Sequence, residues 1–312
     1  MNRSWDLRGR TAVVTGAARG LGAGLARRLS DRGMDVALLG REAATLEAVA
    51  TTLRTRSHVV EVDVTDDAAL RRAADEVTRC LGAPSVVIAN AGVAEGGPFE
   101  TSDPDTWRRV IEVNLVGSAA TARSFLPGLR VTRGYFLQIA STAAFGAAPM
   151  MSAYCASKAG AEAFARSLRA EVAHTGVAVG VAYLHWTDTD MIRDVDRHAV
   201  LRELRAHMPA PARRVYPVER VAAWIGRGVE RRSSSVYAPP WLRLAQAGRP
   251  VFPLAVDLLS RRELPRLMNG SAFEQTGLLG HGGRIEEASL FRSATGPAAG
   301  DATDHGFPGA SA

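Results

Sequence analysis

The chain has 312 residues, 46% of them hydrophobic, which is ample for a large buried core in one or two domains. Its formal charge is +6, but the arginines fall in scattered pairs, Arg27-Arg28, Arg108-Arg109 and Arg231-Arg232 among them. That is the pattern of solvated helix faces rather than of a nucleic-acid groove, so no nucleic-acid partner is expected. Cys80 and Cys155 make no disulfide framework, and the histidines show no metal-ligand spacing, so a cytoplasmic protein without a metal is expected. No signal peptide is evident, and no run of about 18 uncharged apolar residues offers a membrane span.

The elements alternate. Thr11–Thr15 is a short β-branched run, read as a buried strand. It leads into Gly16-Ala17-Ala18-Arg19-Gly20-Leu21-Gly22 and then a helical pattern through Leu25 and Leu29. Strand, glycine turn and helix aim helix N-terminal amides at a pyrophosphate, and glycine lets the backbone come close. The spacing Gly-x-x-x-Gly-x-Gly differs from the commoner dinucleotide fingerprint. A second strand, Asp35–Leu39, ends in Gly40-Arg41, where an NAD site would place an acid against the ribose. Glycine stands there instead, with Arg41 beside it and Arg19 in the loop. Two guanidinium groups favour a 2′-phosphate, so NADP(H) is the preferred cofactor and NAD(H) the alternative.

Further strands are expected at Val59–Val62, followed by Asp63, at Ser85–Ala89, running into Asn90-Ala91-Gly92, and at Tyr135–Ala140, with Ser141 at its end. Helices are expected over Asp66–Cys80 and from about Asp103 to Phe125, the second carrying Asn114 in an apolar face. Asp63 at a strand end can accept from an adenine amino group. Apolar strands alternating with helices predict an α/β fold, a doubly wound parallel sheet with helices on both faces.

Tyr154 and Lys158 stand four apart in Ser152–Lys158 and share one face of a predicted helix. A phenol has a pKa of about 10, and a cation within roughly 4–6 Å is expected to lower it. Of 38 Lys and Arg residues, only Lys158 is lysine. A compact ammonium fits among hydroxyl groups where a forked guanidinium does not.

Together Thr15-Gly16-x-x-x-Gly20-x-Gly22, Asp63, Asn90-Ala91-Gly92, Asn114, Ser141 and Tyr154-x-x-x-Lys158 resemble the short-chain dehydrogenase/reductase family in its single-domain Rossmann form. The resemblance covers about residues 7–240. It implies an oxidoreductase that interconverts a carbonyl and an alcohol. Tyr154 would be the general acid or base, and Lys158 would lower its pKa and bind the nicotinamide ribose. Ser141 would hold the substrate oxygen, and Asn114 would anchor a relaying water. Thr15, Gly16, Arg19, Gly20, Leu21 and Gly22 would cradle the phosphates. Asp63 and Val64 would face the adenine, Asn90, Ala91 and Gly92 would line the ribose, and Thr189 would meet the nicotinamide amide. The family also implies a homodimer or homotetramer. The alternatives are an NAD-linked alcohol dehydrogenase of the same family, or a nucleotide-binding scaffold or sensor with little turnover.

One departure stands after the strand Val177–Tyr183. Leu184-His185-Trp186 replaces the family's Pro-Gly turn. Residues 191–217 are expected to form a substrate lid with a helical middle at Ala199–Met208. Ala143, Met150, Met151, Trp186 and Met191 suggest an apolar pocket and a hydrophobic substrate. A helix at Val218–Arg231 and a strand at Ser235–Ala238 complete a catalytic domain over 1–240. Residues 241–293 are expected to add a helical appendage, broken at Pro250 and Pro253 into short helices, which packs on its own domain or a sister subunit, covers the pocket or, over 241–267, rests on a membrane. Residues 294–312 read as a disordered tail.

Overall fold

A computed structural model describes residues 5–146, 148–206, 208, 210–268, 275–285 and 287. Seven parallel strands make one sheet: β1 (Thr11–Thr15), β2 (Asp35–Gly40), β3 (Ser57–Glu61), β4 (Pro84–Ala89), β5 (Tyr135–Ser141), β6 (Ala178–Leu184) and β7 (Ser235–Ala238). Their order is β3-β2-β1-β4-β5-β6-β7, and every pairing is parallel. The order reverses between β1 and β4, which opens a crevice at the strands' carboxyl ends.

Successive residues of each strand enter opposite cores. Val13, Leu39, Val87 and Phe136 pack on one face, and Val14, Leu38, Ile88 and Leu137 pack on the other. The first core is closed by α3 (Asp67–Leu81), by a long helix beginning as α4 (Pro104–Ile111) and continuing as α5 (Gly117–Thr132), and by α6 (Ser152–Val172). The second is closed by α1 (Gly20–Ser30) and α2 (Ala43–Ala50). Both faces of the central strands are therefore mostly apolar, as the sequence pattern requires.

Several boundaries shifted by a residue, and two moved further for physical reasons. β3 begins two residues before Val59, because this edge strand pairs Ser57 with Val36 through its backbone while its early side chains stay partly exposed. The helix expected to end near Phe125 runs to Thr132, with Asp103 capping its first turn and a π-helical turn at Glu112–Val116.

Over the crevice lie α7 (Asp190–Arg197), α8 (Ala199–Ala206) and α9 (Ala210–Arg213). The chain returns through α10 (Val218–Glu230), which packs beside α1 on the second core. Beyond β7 come α11 (Leu242–Ala247) and α12 (Phe252–Met268). Pro253 does not break α12. It sits in the first turn, where its missing N–H has no helical partner to lose. Residues 275–285 then come back over the crevice, with Leu278 bridging antiparallel to Glu95. The tail expected at 294–312 lies outside the described residues.

Candidate active site

A cavity of about 980 Å³ runs along the carboxyl edge of the sheet, from the glycine loop after β1 to α12. Gly16, Arg19, Gly20, Leu21 and Gly22 line one end. Gly16 has φ +63°, and a Cβ there would sit 2.9 Å from Ala91 Cα. A Cβ at Gly22 would sit 2.0 Å from the Gly16 carbonyl oxygen. Only glycine fits this fold of the loop, which leaves the start of α1 bare for a phosphate to approach.

Thr15 corrects one expectation. Its side chain is 1% exposed and turns inward, so it does not reach the cavity. Its hydroxyl accepts from the backbone N–H groups of Asn90 (3.0 Å) and Ala91 (3.1 Å). Asn90 returns the tie through its side-chain amide, donating to the Thr15 carbonyl at 2.9 Å. Thr15 therefore braces the two loops against each other, while Asn90, Ala91 and Gly92 line the cavity.

Arg41, Asp63 and Val64 also line this end. The neighbourhood is less simply cationic than Arg19 and Arg41 suggested. Both terminal nitrogens of Arg19 grip the two carboxylate oxygens of Glu42. Burial would raise the Glu42 pKa, but the Arg19 hydrogen bonds and charge outweigh it and hold it down. Arg41 stands 3.8 Å from Asp63, and Arg109 donates to the same Asp63 oxygen at 2.8 Å. Burial likewise opposes ionisation of Asp63, and Thr65, Arg109 and Arg41 together keep its pKa below the ordinary value.

At the middle of the cavity α6 presents Tyr154 and Lys158, and the end of β5 presents Ser141. The Ser141 hydroxyl accepts from Ala143 N–H at 3.1 Å, and it lines the cavity together with Tyr154. Tyr154 is half-buried as a residue, but its hydroxyl end lies inside the cavity. Lost hydration pushes its pKa up to about 12, against the partial relief from Ser141. The net effect on this phenol is therefore upward, because burial outweighs the lowering expected from a neighbouring ammonium. The Lys158 ammonium stands 5.6 Å from the centre of the ring and has the Ile139 carbonyl oxygen at 3.5 Å. Lys158 is itself only 4% exposed, and burial brings its pKa down to about 8.

Asn114 lies in the π-helical turn, fully buried. Its carbonyl oxygen accepts from Val93 N–H at 2.8 Å, and its amide donates to Val93 O and Ser157 Oγ, both at 2.9 Å. Both N–H donors are thus used to pin the β4 loop to α6. A Cβ at Gly92 would lie 3.0 Å from the Asn114 side-chain oxygen and 3.2 Å from the Lys158 ammonium, so the two side chains flank one glycine.

The substrate end is apolar. Ala143, Met151, Trp186 and Met191 line it, with Phe252 and Leu259 of α12 opposite. Met150 does not line it. It occupies a turn at φ +67° and packs against the cluster of Ala94, Val195, Leu201 and Leu279. Thr189, at the start of α7, lines the cavity beside Gly20. His185 and Trp186, the departure after β6, both donate to the Ala212 carbonyl, at 2.7 and 2.9 Å, and so fasten α9. The carbonyl can only accept, so His185 Nε2 carries the proton and Nδ1 faces the Thr142 hydroxyl at 3.4 Å. Burial lowers the His185 pKa, which keeps the ring neutral and structural.

Two parts of the site escaped the sequence, and a third was read only as part of the appendage. Glu42 follows Arg41 directly and was legible as an acid, though nothing local shows that it binds Arg19. Glu95 is buried and accepts from Ala153 N–H at 3.1 Å, capping α6 just before Tyr154. Burial raises its pKa, eased only partly by that bond. Residues 275–285 form a wall of the cavity. Among the described residues no cluster of metal-ligating side chains occurs, and no helix is long and apolar enough to cross a membrane.

Comparison with known proteins agrees with this geometry. Residues 10–199 match the family model described as short chain dehydrogenase. Dehydrogenase/reductase SDR family member 7B of Bos taurus is 31% identical over 263 residues, covering 79% of each chain. The cis-4-hydroxycyclohexanecarboxylate dehydrogenase of Sinomonas cyclohexanicum is 35% identical over 59% of this chain and 75% of its own. Among solved structures, an alcohol dehydrogenase from Thermococcus sibiricus complexed with 5-hydroxy-NADP superposes with TM-score 0.56 at 29% identity, covering 58% of this chain and 77% of that one. A short-chain type dehydrogenase/reductase from Mycobacterium marinum has the same fold, at TM-score 0.68 and 22% identity over 75% of this chain and 95% of its own. A parallel sheet with a glycine loop after β1, a Ser-Tyr-Lys group over its carboxyl edge and these relatives lead to one conclusion: the chain belongs to the short-chain dehydrogenase/reductase family, oxidoreductases acting on alcohol and carbonyl groups with a nicotinamide dinucleotide.

Proposed function

We propose that this chain is an NADP(H)-dependent oxidoreductase that interconverts a carbonyl and a primary or secondary alcohol on a small hydrophobic molecule. The observation that carries the reading is that Ser141, Tyr154 and Lys158 line one cavity that is apolar on one side and continues to the glycine loop on the other. Gly16, Gly20 and Gly22 leave space for phosphates, and Arg19 and Arg41 supply positive charge at the far end. Asp63, Val64, Asn90, Ala91, Gly92 and Thr189 fit the remaining contacts. The bound nucleotide supplies the hydride.

In reduction, the Ser141 hydroxyl holds the substrate carbonyl oxygen. Tyr154 gives that oxygen its proton as negative charge develops there. A phenol pushed up by burial keeps its proton at neutral pH, which suits an acid. Lys158, nearly full-charged at pH 7, stabilises the phenolate left behind. Asn114 acts by holding the loop and α6 in register, since its amide donors are both engaged. In oxidation the same groups run in reverse, with Tyr154 as base.

Glu42 supports a second reading, an NAD(H)-linked alcohol dehydrogenase. Its carboxylate could accept from a ribose 2′-hydroxyl, and Arg19 must leave it before turning to a 2′-phosphate. Residues 1–240 form the catalytic domain in this proposal, with 191–217 as the lid and 241–293 as a cover. Free thiols at Cys80 and Cys155 suit the cytoplasm. The exposed Leu244, Leu254 and Leu258, with Arg243, Arg261 and Arg262 in the same stretch, support peripheral contact of 241–267 with a membrane. The long helices α4–α5 and α6 support a homodimer or homotetramer.

Fluorescence titration with NADPH and NADH, followed by turnover on a panel of apolar ketones and aldehydes, tests the reading. Tighter NADPH binding with ketone reduction is expected. No binding of either nucleotide would overturn it, and tight binding without turnover on any compound would favour a sensor. Liposome flotation that persists after removal of 241–267 would end the membrane contact.

A further inference from the structure

We propose that residues 275–285 are a clasp that closes over the dinucleotide groove and locks it to the substrate lid, so that nucleotide enters and leaves only when the clasp lifts. The proposal rests on the nucleotide-binding reading above.

Three anchors hold the segment. At the first, Thr276 N–H donates to the Gly96 carbonyl at 2.9 Å, Gly96 N–H donates to Thr276 Oγ1 at 2.8 Å, and Leu279 N–H donates to the Ala94 carbonyl at 2.7 Å. The segment thus adds an antiparallel rung to the loop after β4. Leu278 and Leu279 are each 2% exposed, and Leu279 packs with Ala94, Val195 and Leu201 between that loop and the lid.

The second anchor is Asp194 on α7. One of its oxygens accepts from Gly280 N–H at 2.8 Å and also from the Arg284 guanidinium. Gly280 has φ +83°, and a Cβ there would meet the backbone nitrogen of Met191 at 3.0 Å. The clasp therefore lies directly against a residue that lines the substrate end. At the third anchor Arg41 donates to the Ile285 carbonyl at 3.4 Å. A side chain at Gly282 would point toward Arg19.

One short stretch thus touches the loop after β4, the lid, and the arginines at the 2′ end of the groove. It lies beyond residues 10–199, the part matched by the family model. Its wall of Gly280, His281, Gly283 and Ile285 faces the same cavity as Arg19 and Arg41. Charge-assisted bonds at Asp194 make the closed position the stable one.

The test is stopped-flow fluorescence of NADPH association and release. It uses the full chain, a chain ending at residue 274, and the full-length variants Gly280→Val and Asp194→Ala. A clasp that gates passage predicts that all three altered proteins release NADPH about tenfold faster or more, the change expected when roughly 1.4 kcal/mol of closing contacts is lost. It also predicts that association does not slow. General damage to the groove would slow association, so the pair of rates separates gating from misfolding. Hydrogen exchange at Leu279 and Gly280 should slow when NADPH is added to the full chain. If the shortened chain fails to fold, the two point variants decide. Release from both at the rate of the full chain would overturn the clasp. A full chain that binds neither NADPH nor NADH would overturn the nucleotide reading instead, and the clasp with it.

Discussion

Arg19, in the glycine loop, and Glu42, just past β2, lie fork to fork at the 2′ end of the groove, 23 residues apart in sequence. The pair puts an acid and a base in competition for the same group. Glu42→Gln removes the charge that holds Arg19 and should raise the preference for NADPH over NADH several-fold, by roughly 1 kcal/mol of released ion pairing. Arg41→Ala should weaken NADPH far more than NADH. Titrations with both nucleotides check this, and an equal loss of the two would remove the 2′-phosphate assignment.

Lys158 predicts a pH-dependent cost of its own function. Its folded-state pKa is lowered to about 8 from an ordinary 10.5. Below pH 8 the ammonium is charged in both states, and the folded state carries the full cost of burying it. Between pH 8 and 10.5 the unfolded chain holds more protons than the folded one, so this cost fades and stability rises with pH. Lys158→Met should abolish turnover yet stabilise the fold by about 3 kcal/mol near pH 7, a gain that vanishes by roughly pH 10.5. Urea unfolding at pH 7 and pH 10 measures it. A Met variant no more stable than the parent at pH 7 would contradict the buried-charge assignment.

Arg249 ties the appendage to the catalytic core. Its guanidinium reaches both oxygens of Glu162, at 2.8 and 2.9 Å, and the Ala144 carbonyl at 2.5 Å. Glu162 is 2% exposed and also accepts from the Tyr183 hydroxyl at 2.9 Å. Arg249→Ala leaves the carboxylate with Arg166 and Tyr183 only, and should destabilise by roughly 1–3 kcal/mol. Since α12 forms part of the apolar wall, KM for a hydrophobic ketone should rise more than kcat falls. Equal changes in a small and a large apolar substrate would argue against α12 as part of the pocket.

How much of this was legible in the sequence follows from where each signal lives. β1 and β7 matched residue for residue, because short apolar runs bounded by turns leave little freedom. β3 was read short, because an edge strand is held by backbone bonds that composition does not record. Tyr154 and Lys158 were found from their spacing on one helix face, and Ser141 through the family resemblance, which fixes its distance ahead of Tyr154. Thr15 was read as a phosphate contact, although its side chain turns inward to brace Asn90. The net direction of the tyrosine pKa was not legible either, because the sequence shows a cation nearby but not the burial that outweighs it. Residues 275–285 were read only as part of the appendage over 241–293, and their contacts were not legible, because their partners Ala94, Asp194 and Arg41 lie far away in the chain.

Single-turnover reduction of an apolar ketone by Tyr154→Phe, with NADPH affinity measured on the same sample, tests the central claim most directly. Phenylalanine keeps the ring and its packing and removes only the proton donor. NADPH affinity should be unchanged while the rate of reduction falls by about 10³ or more, the share a positioned acid contributes. Reduction at the parent rate would contradict the assignment of Tyr154 as the proton donor, and the proposed chemistry with it.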